Sequence, residues 1–123
     1  MKYFYDFDSM EKFKFGPDVT SSFGSKVHGK KMVFGMAEKK PGTGSKPHRH
    51  NAEQFNYMMK GRARAVVGGE EKIIGPGEVV YIPADVVHSI VALDEDVVFL
   101  TVKEVPEAFE VVVEGEIETT DRA

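Results

Sequence analysis

Residues 47–61 read PHRHNAEQFNYMMKG, and two of the chain's four histidines, His48 and His50, stand there one residue apart. In an extended strand, successive side chains point to opposite faces, so residues of one parity share a face. His48, His50 and Gln54 are even-numbered and Glu53 is odd. On a regular strand the glutamine therefore points where the histidines point and the glutamate points away; a bend at Asn51-Ala52 would break that register. Two imidazoles at i and i+2 chelate a single divalent ion, because neutral imidazole is a good borderline ligand. A third histidine, His88, closes the stretch GEVVYIPADVVH, in which Gly77 and Pro83 are spaced for a hairpin partner.

Outward from this cluster, glycine and proline cut the chain into short runs: KMVFGMAE, EQFNYMMK, ARAVV, EKII, EVVYI, VHSIVAL, VVFLTV and FEVVVEGEIE. Each is rich in β-branched and aromatic residues and bounded by turn signals. No window of helical length carries a 3.6-residue apolar stripe. Many short strands at near-regular spacing predict an all-β barrel or sandwich. At 123 residues the chain is expected to form one domain, 1–123, with 41% apolar residues to build its core.

The composition also excludes. There are no cysteines, so thiol catalysis, cysteine zinc sites and disulfides are ruled out, in keeping with a reducing, cytoplasmic setting. The start, MKYFYDFDSMEKF, has no apolar run of the signal-peptide kind, and no stretch approaches the ~20 apolar residues of a membrane span. With a net charge of −4 and interspersed signs, no nucleic-acid partner is expected. The pairs Lys30-Lys31 and Lys39-Lys40 are read as solvated strand ends. Residues 1–15 form an arm with six aromatics, which must bury on its own barrel or, swapped, on a partner chain, so a homodimer is expected. Residues 115–123 read as an acidic, partly frayed tail after a final edge strand.

Over residues 40–105 the chain resembles the cupins. The first motif is G-x5-H-x-H-x3-Q-x6-G, from Gly42 through His48, His50 and Gln54 to Gly61; the second is G-x5-P-x-D-x2-H, from Gly77 through Pro83 and Asp85 to His88. Where the cupin pattern has a glutamate, a glycine and an asparagine, this chain has Gln54, Asp85 and Ala92. The resemblance implies a single cupin-type antiparallel β-barrel, a double-stranded β-helix or jelly roll. It implies one divalent transition metal (Mn, Fe, Ni or Zn) on His48, His50, Gln54 and His88. His28, outside both motifs, is read as an ordinary strand histidine.

Four neutral donors leave a divalent ion its full charge, which favours Lewis-acid work over oxygen activation. The expected function is therefore a metal-dependent enzyme acting on a small oxygenated metabolite (a sugar acid or hydroxy/keto compound) by lyase, isomerase or hydrolase chemistry. The alternatives are an Fe(II)-dependent dioxygenase and a non-catalytic small-ligand binding or sensing module. EQFNYMMKG and YIPADVVHSIVALDED look like the small cupins that linearise unsaturated uronates. In VVFLTVKEVPE, however, Leu100 and Val102 stand where those proteins carry polar groups, with Lys103 and Glu104 as substitutes of unsettled parity. Pocket candidates are Asn56, Met58, Tyr81 and Phe99, with Tyr57 behind them and Ala63, Ala65 and Val67 on the next strand. No general base is identified.

Overall fold

The computed structural model describes residues 1–117, so the tail expected over 115–123 lies outside the described residues from 118 onward. Apart from a short 3-10 turn at Phe7–Ser9, the regular elements are strands: β1 (Phe13–Lys14), β2 (Phe23–His28), β3 (Met32–Lys39), β4 (His48–His50), β5 (Gln54–Lys60), β6 (Ala63–Val67), β7 (Glu70–Ile74), β8 (Val79–Ile82), β9 (His88–Ala92), β10 (Val97–Glu104) and β11 (Val111–Val113). They form two antiparallel sheets, β1-β2-β3-β10-β5-β8 and β11-β4-β9-β6-β7. This is the jelly-roll barrel that the all-β reading anticipated. No described helix is long and apolar enough to cross a membrane.

Period-two alternation decides what faces inward. On β3 the inner row is Val33, Gly35, Ala37 and Lys39, and on β10 it begins with Val97 and Phe99. Met58 and Ile82 from the same sheet, with Ala63, Ala65, Ile90 and Ala92 from the sheet opposite, complete one apolar core. The motif glycine Gly61 turns β5 into β6 at φ 77°, and a Cβ there would collide with the Asp96 carbonyl. Asp85 holds φ 65° at the position where the cupin pattern has a glycine, and its N–H donates to the His50 carbonyl at 2.7 Å. Here an aspartate occupies the left-handed region that glycine enters without strain.

The outer face of the six-stranded sheet is apolar. Phe34, Phe55, Tyr57, Met59, Val79 and Tyr81 are all exposed on it. Tyr81 and Tyr57 thus point away from the barrel interior, and Tyr81 instead donates to Glu53 Oε2 at 2.5 Å. The aromatic arm does not bury on its own barrel as a unit: Tyr3, Phe4 and Phe13 are exposed, Phe7 stacks on Phe34 at 5.7 Å, and Phe15 alone reaches the core.

Candidate metal centre

The histidine stretch folds across the barrel instead of along one strand. His48 and His50 lie on β4 in one sheet, the chain bends at Asn51-Ala52, and Gln54 opens β5 in the other sheet. Gln54 therefore faces the histidines from across the barrel mouth, while Glu53 is exposed in the bend. Gln54 thus reaches the histidines as the parity argument expected, but across the interrupted strand and not along one regular strand. His88 is no sequential hairpin partner of the first motif. It opens β9 and pairs directly with His48 across the sheet.

Potential donor atoms of His48, His50 and His88 lie within 4.8 Å of one another, with ring centroids 4.2, 4.8 and 5.6 Å apart, and all three residues are buried. Each Nδ1 faces a backbone carbonyl: Lys46 at 2.6 Å, Ala52 at 2.9 Å and Val86 at 3.0 Å. A carbonyl only accepts, so Nδ1 carries the proton and Nε2 is left with a bare lone pair. Burial disfavours the imidazolium and pushes all three pKa values down, that of His88 to about 3.

Gln54 adds a fourth donor. Its amide nitrogen is used up, donating to Asn56 Oδ1 at 2.9 Å and Thr101 Oγ1 at 3.1 Å. Its oxygen Oε1 consequently points at His50 Nε2, 3.1 Å away. With the proton on Nδ1, that contact sets one lone pair against another, a repulsive arrangement unless a cation lies between them. Four neutral donors converging with their lone pairs is the arrangement a divalent transition ion takes, and these residues fit one.

The centre opens into a cavity of about 190 Å³ lined by Asn56, Thr101, Phe99, Ile90, Lys39 and Lys103, among others. Of the expected pocket residues, Asn56 and Phe99 line it. Met58 is instead sealed in the core, and Tyr81 lies on the outer face, because its parity on β8 is that of exposed Val79. Ala63, Ala65 and Val67 pack into or against the core and leave no space of their own. His28 is exposed at the end of β2.

Two expectations about charge are overturned. On β10 it is Leu100 and Val102 that point outward, whereas Thr101 and Lys103 line the cavity, so the strand does present polar groups. Glu104 accepts from the Glu53 N–H and stays exposed. Lys39 is no solvated strand end: it closes the inner row of β3 and is 3% exposed. Burial drives its pKa down to about 7 and that of Lys103 to about 8. The alternation Val33-x-Gly35-x-Ala37-x-Lys39 was the signal for its inward direction, masked by the neighbouring Lys40.

A small antiparallel barrel whose mouth groups three histidines that could hold a metal ion, with an amide oxygen beside one of them, defines the class. Residues 35–103 match the family model described as the cupin domain, and the chain belongs to the cupin family. The dimethylsulfoniopropionate lyase DddW of Ruegeria pomeroyi is 34% identical over 76 residues, covering 62% of this chain and 50% of the lyase. The chain thus spans half the length of that relative. An uncharacterised protein of Streptomyces coelicolor is 32% identical over 77 residues, 63% of this chain and 73% of its own. Among solved structures, KdgF from a Halomonas species superposes with a TM-score of 0.73 at 19% identity, covering 85% of this chain and 94% of its own, a likeness of fold.

Proposed function

We propose that the protein is a metal-dependent cupin enzyme acting on a small oxygenated metabolite by Lewis-acid lyase, isomerase or hydrolase chemistry. The observation that carries this reading is the opposed pair of lone pairs on Gln54 and His50, set beside two further bare Nε2 atoms at the head of a cavity. A divalent ion on His48, His50, Gln54 and His88 would polarise a carbonyl, hydroxyl or carboxylate oxygen of the substrate. The chain's own residues do the rest. Asn56 and Thr101 fix the amide so that its oxygen and not its nitrogen faces the imidazoles. Phe99 and Ile90 form an apolar wall that lowers the local dielectric and strengthens each polar contact inside. Lys39 and Lys103 supply the polar groups whose absence would have favoured a binding module without turnover. The lyase relative supports elimination on a small carboxylate as one member of this reaction class.

The dioxygenase reading separates cleanly. Protein loaded with Fe(II), Mn(II), Ni(II) or Zn(II) is incubated with dimethylsulfoniopropionate, an unsaturated uronate and a panel of hydroxy acids, with product and oxygen followed together. Turnover with redox-inert Zn(II) or Mn(II) and no oxygen uptake is the expected result. Turnover confined to Fe(II) with stoichiometric oxygen consumption would overturn it.

We also propose that two copies associate through the apolar outer face of the six-stranded sheet. Contiguous apolar patches beyond a few hundred Å² are rare on monomers, and here the exposed side chains of β3, β5 and β8 lie beside an equally exposed aromatic arm. A particle of twice the 13.7 kDa chain mass is expected by light scattering, and a monomer would count against it.

A further inference from the structure

The cavity holds positive charge without a counter-charge. Lys26, Lys39 and Lys103 line it, and no aspartate or glutamate among the described residues does. Lys39 is 3% exposed, and none of the ion pairs among the described residues involves it. Its Nζ donates to Ser22 Oγ at 2.7 Å and Thr20 Oγ1 at 3.0 Å, both neutral hydroxyls. Burying an ammonium against two hydroxyls and the face of Phe99, whose centroid is 5.5 Å from Nζ, with no anion beside it is unfavourable, which agrees with its depressed pKa of about 7.

Counting protons sharpens the point. Thr20 Oγ1 accepts from Lys39 and from the Ser22 N–H at 3.1 Å, which uses both of its lone pairs. The 3.0 Å contact between the two hydroxyls is then donated by Thr20 and accepted by Ser22. Ser22 Oγ thereby accepts twice, from Thr20 and from Lys39, and its own hydroxyl proton has no acceptor among the described residues. The third proton of the Lys39 ammonium finds no oxygen or nitrogen acceptor among the described residues either, only the face of Phe99. Two buried donors, one of them cationic, are left unmatched at a cavity wall, and buried donors are almost always matched. An acceptor that carries negative charge would match both donors and balance the ammonium.

We propose that the cavity takes a small organic acid, and that its anionic oxygens complete the cradle formed by Lys39 and Ser22. This rests on the cavity being the substrate site and gives that site its substrate class. One anionic group, carboxylate or phosphate, supplies an acceptor to each unmatched donor and the counter-charge to Lys39. The rest of the molecule extends along Phe99 and Thr101 toward the histidines, with Lys103 on the same cavity wall.

The test uses full-length protein freed of metal with a chelator and dialysed, so that it does not depend on catalysis. Calorimetric titrations with malonate, inorganic phosphate and the neutral analogue malonamide are run beside a Zn(II) titration of the same preparation. Malonate is expected to bind at one site per chain and malonamide not to bind. Lys39→Met is expected to weaken malonate at least tenfold while leaving Zn(II) stoichiometry unchanged, and Ser22→Ala to weaken it less. Phosphate binding in preference to malonate would assign the same cradle to phosphorylated acids. Equal binding of malonamide, or undiminished malonate binding by Lys39→Met or, should that variant not fold, by Ser22→Ala, would overturn the proposal. Zn(II) uptake without malonate binding would remove the acid assignment alone. Malonate binding without Zn(II) uptake would remove the metal centre and leave the acid site standing.

Discussion

Replacing His48 and His50 together by alanine is expected to abolish stoichiometric metal binding, measured by elemental analysis of protein dialysed against buffer containing Zn(II) or Mn(II). The double substitution removes two of the three imidazoles and leaves His88 with Gln54, a pair too small to compete with water for the ion. His88→Ala alone acts in the same direction, because His88 pairs with His48 across β4 and β9 and supplies the third ring of the triangle. Gln54→Ala weakens the metal less, since an amide oxygen is a poorer donor than imidazole. Glu53→Ala leaves it unchanged, its carboxylate being engaged by the Tyr81 hydroxyl on the outer surface. Metal retained by the double variant would sink the site. A greater loss with Glu53→Ala than with Gln54→Ala would remove the amide from it. None of the four residues belongs to the apolar core, so near-native thermal unfolding of the metal-free variants is expected, and it distinguishes lost ligation from lost folding.

The parts of the fold that lie in local alternation were legible in the chain. The runs KMVFGMAE, EQFNYMMK, ARAVV and EVVYI read as strands, and each matches a strand of the barrel to within a residue at either end, its side chains alternating between a core face and an outer face. The grouping of the three histidines was legible because histidine is scarce and the two motifs fix its spacing. What was not legible depends on where strands stop. Nothing in HNAEQ says that the Asn51-Ala52 bend carries the chain from one sheet to the other, yet that bend places Gln54 opposite His50. In VVFLTVKE, inward and outward rows differ only by a register of one residue, so reading Leu100 as the inner position hid Thr101 and left the direction of Lys103 open. Lys39 was hidden by its charge. A lysine beside another lysine reads as solvated, which outweighed the alternation that carries the inner row of β3 on to residue 39.

That lysine also sets the second expectation. The stability of the metal-free, ligand-free protein is expected to rise with pH between about 7 and 10.5, and Lys39→Met is expected to make that rise shallower. In the unfolded chain the amine titrates near 10.5, while burial lowers it to about 7 in the fold. Above the unfolded value both states are neutral, and the amine adds no charge penalty. As pH falls below it, the unfolded state takes up a proton that the folded state does not, and stability drops by about 1.4 kcal/mol per pH unit. Below about 7 both states are protonated, the slope ends and the penalty is complete. The charged and titratable groups that share the cavity with Lys39 are His48 on β4, His50, His88, Lys26 on β2 and Lys103 on β10. The histidines are neutral throughout this window, their pKa values lying below the ordinary 6.5. Lys26 and Lys103 are themselves lowered by burial and act in the same sense, so the difference between wild type and Lys39→Met isolates the contribution of Lys39. Chemical denaturation at pH 6.5, 8 and 9.5 measures it. The variant should be the more stable at the lowest pH, with the two proteins converging as pH rises. Parallel profiles would mean that Lys39 stays charged and finds its counter-charge in the fold itself, and the cavity would then have no deficit for an incoming acid to fill.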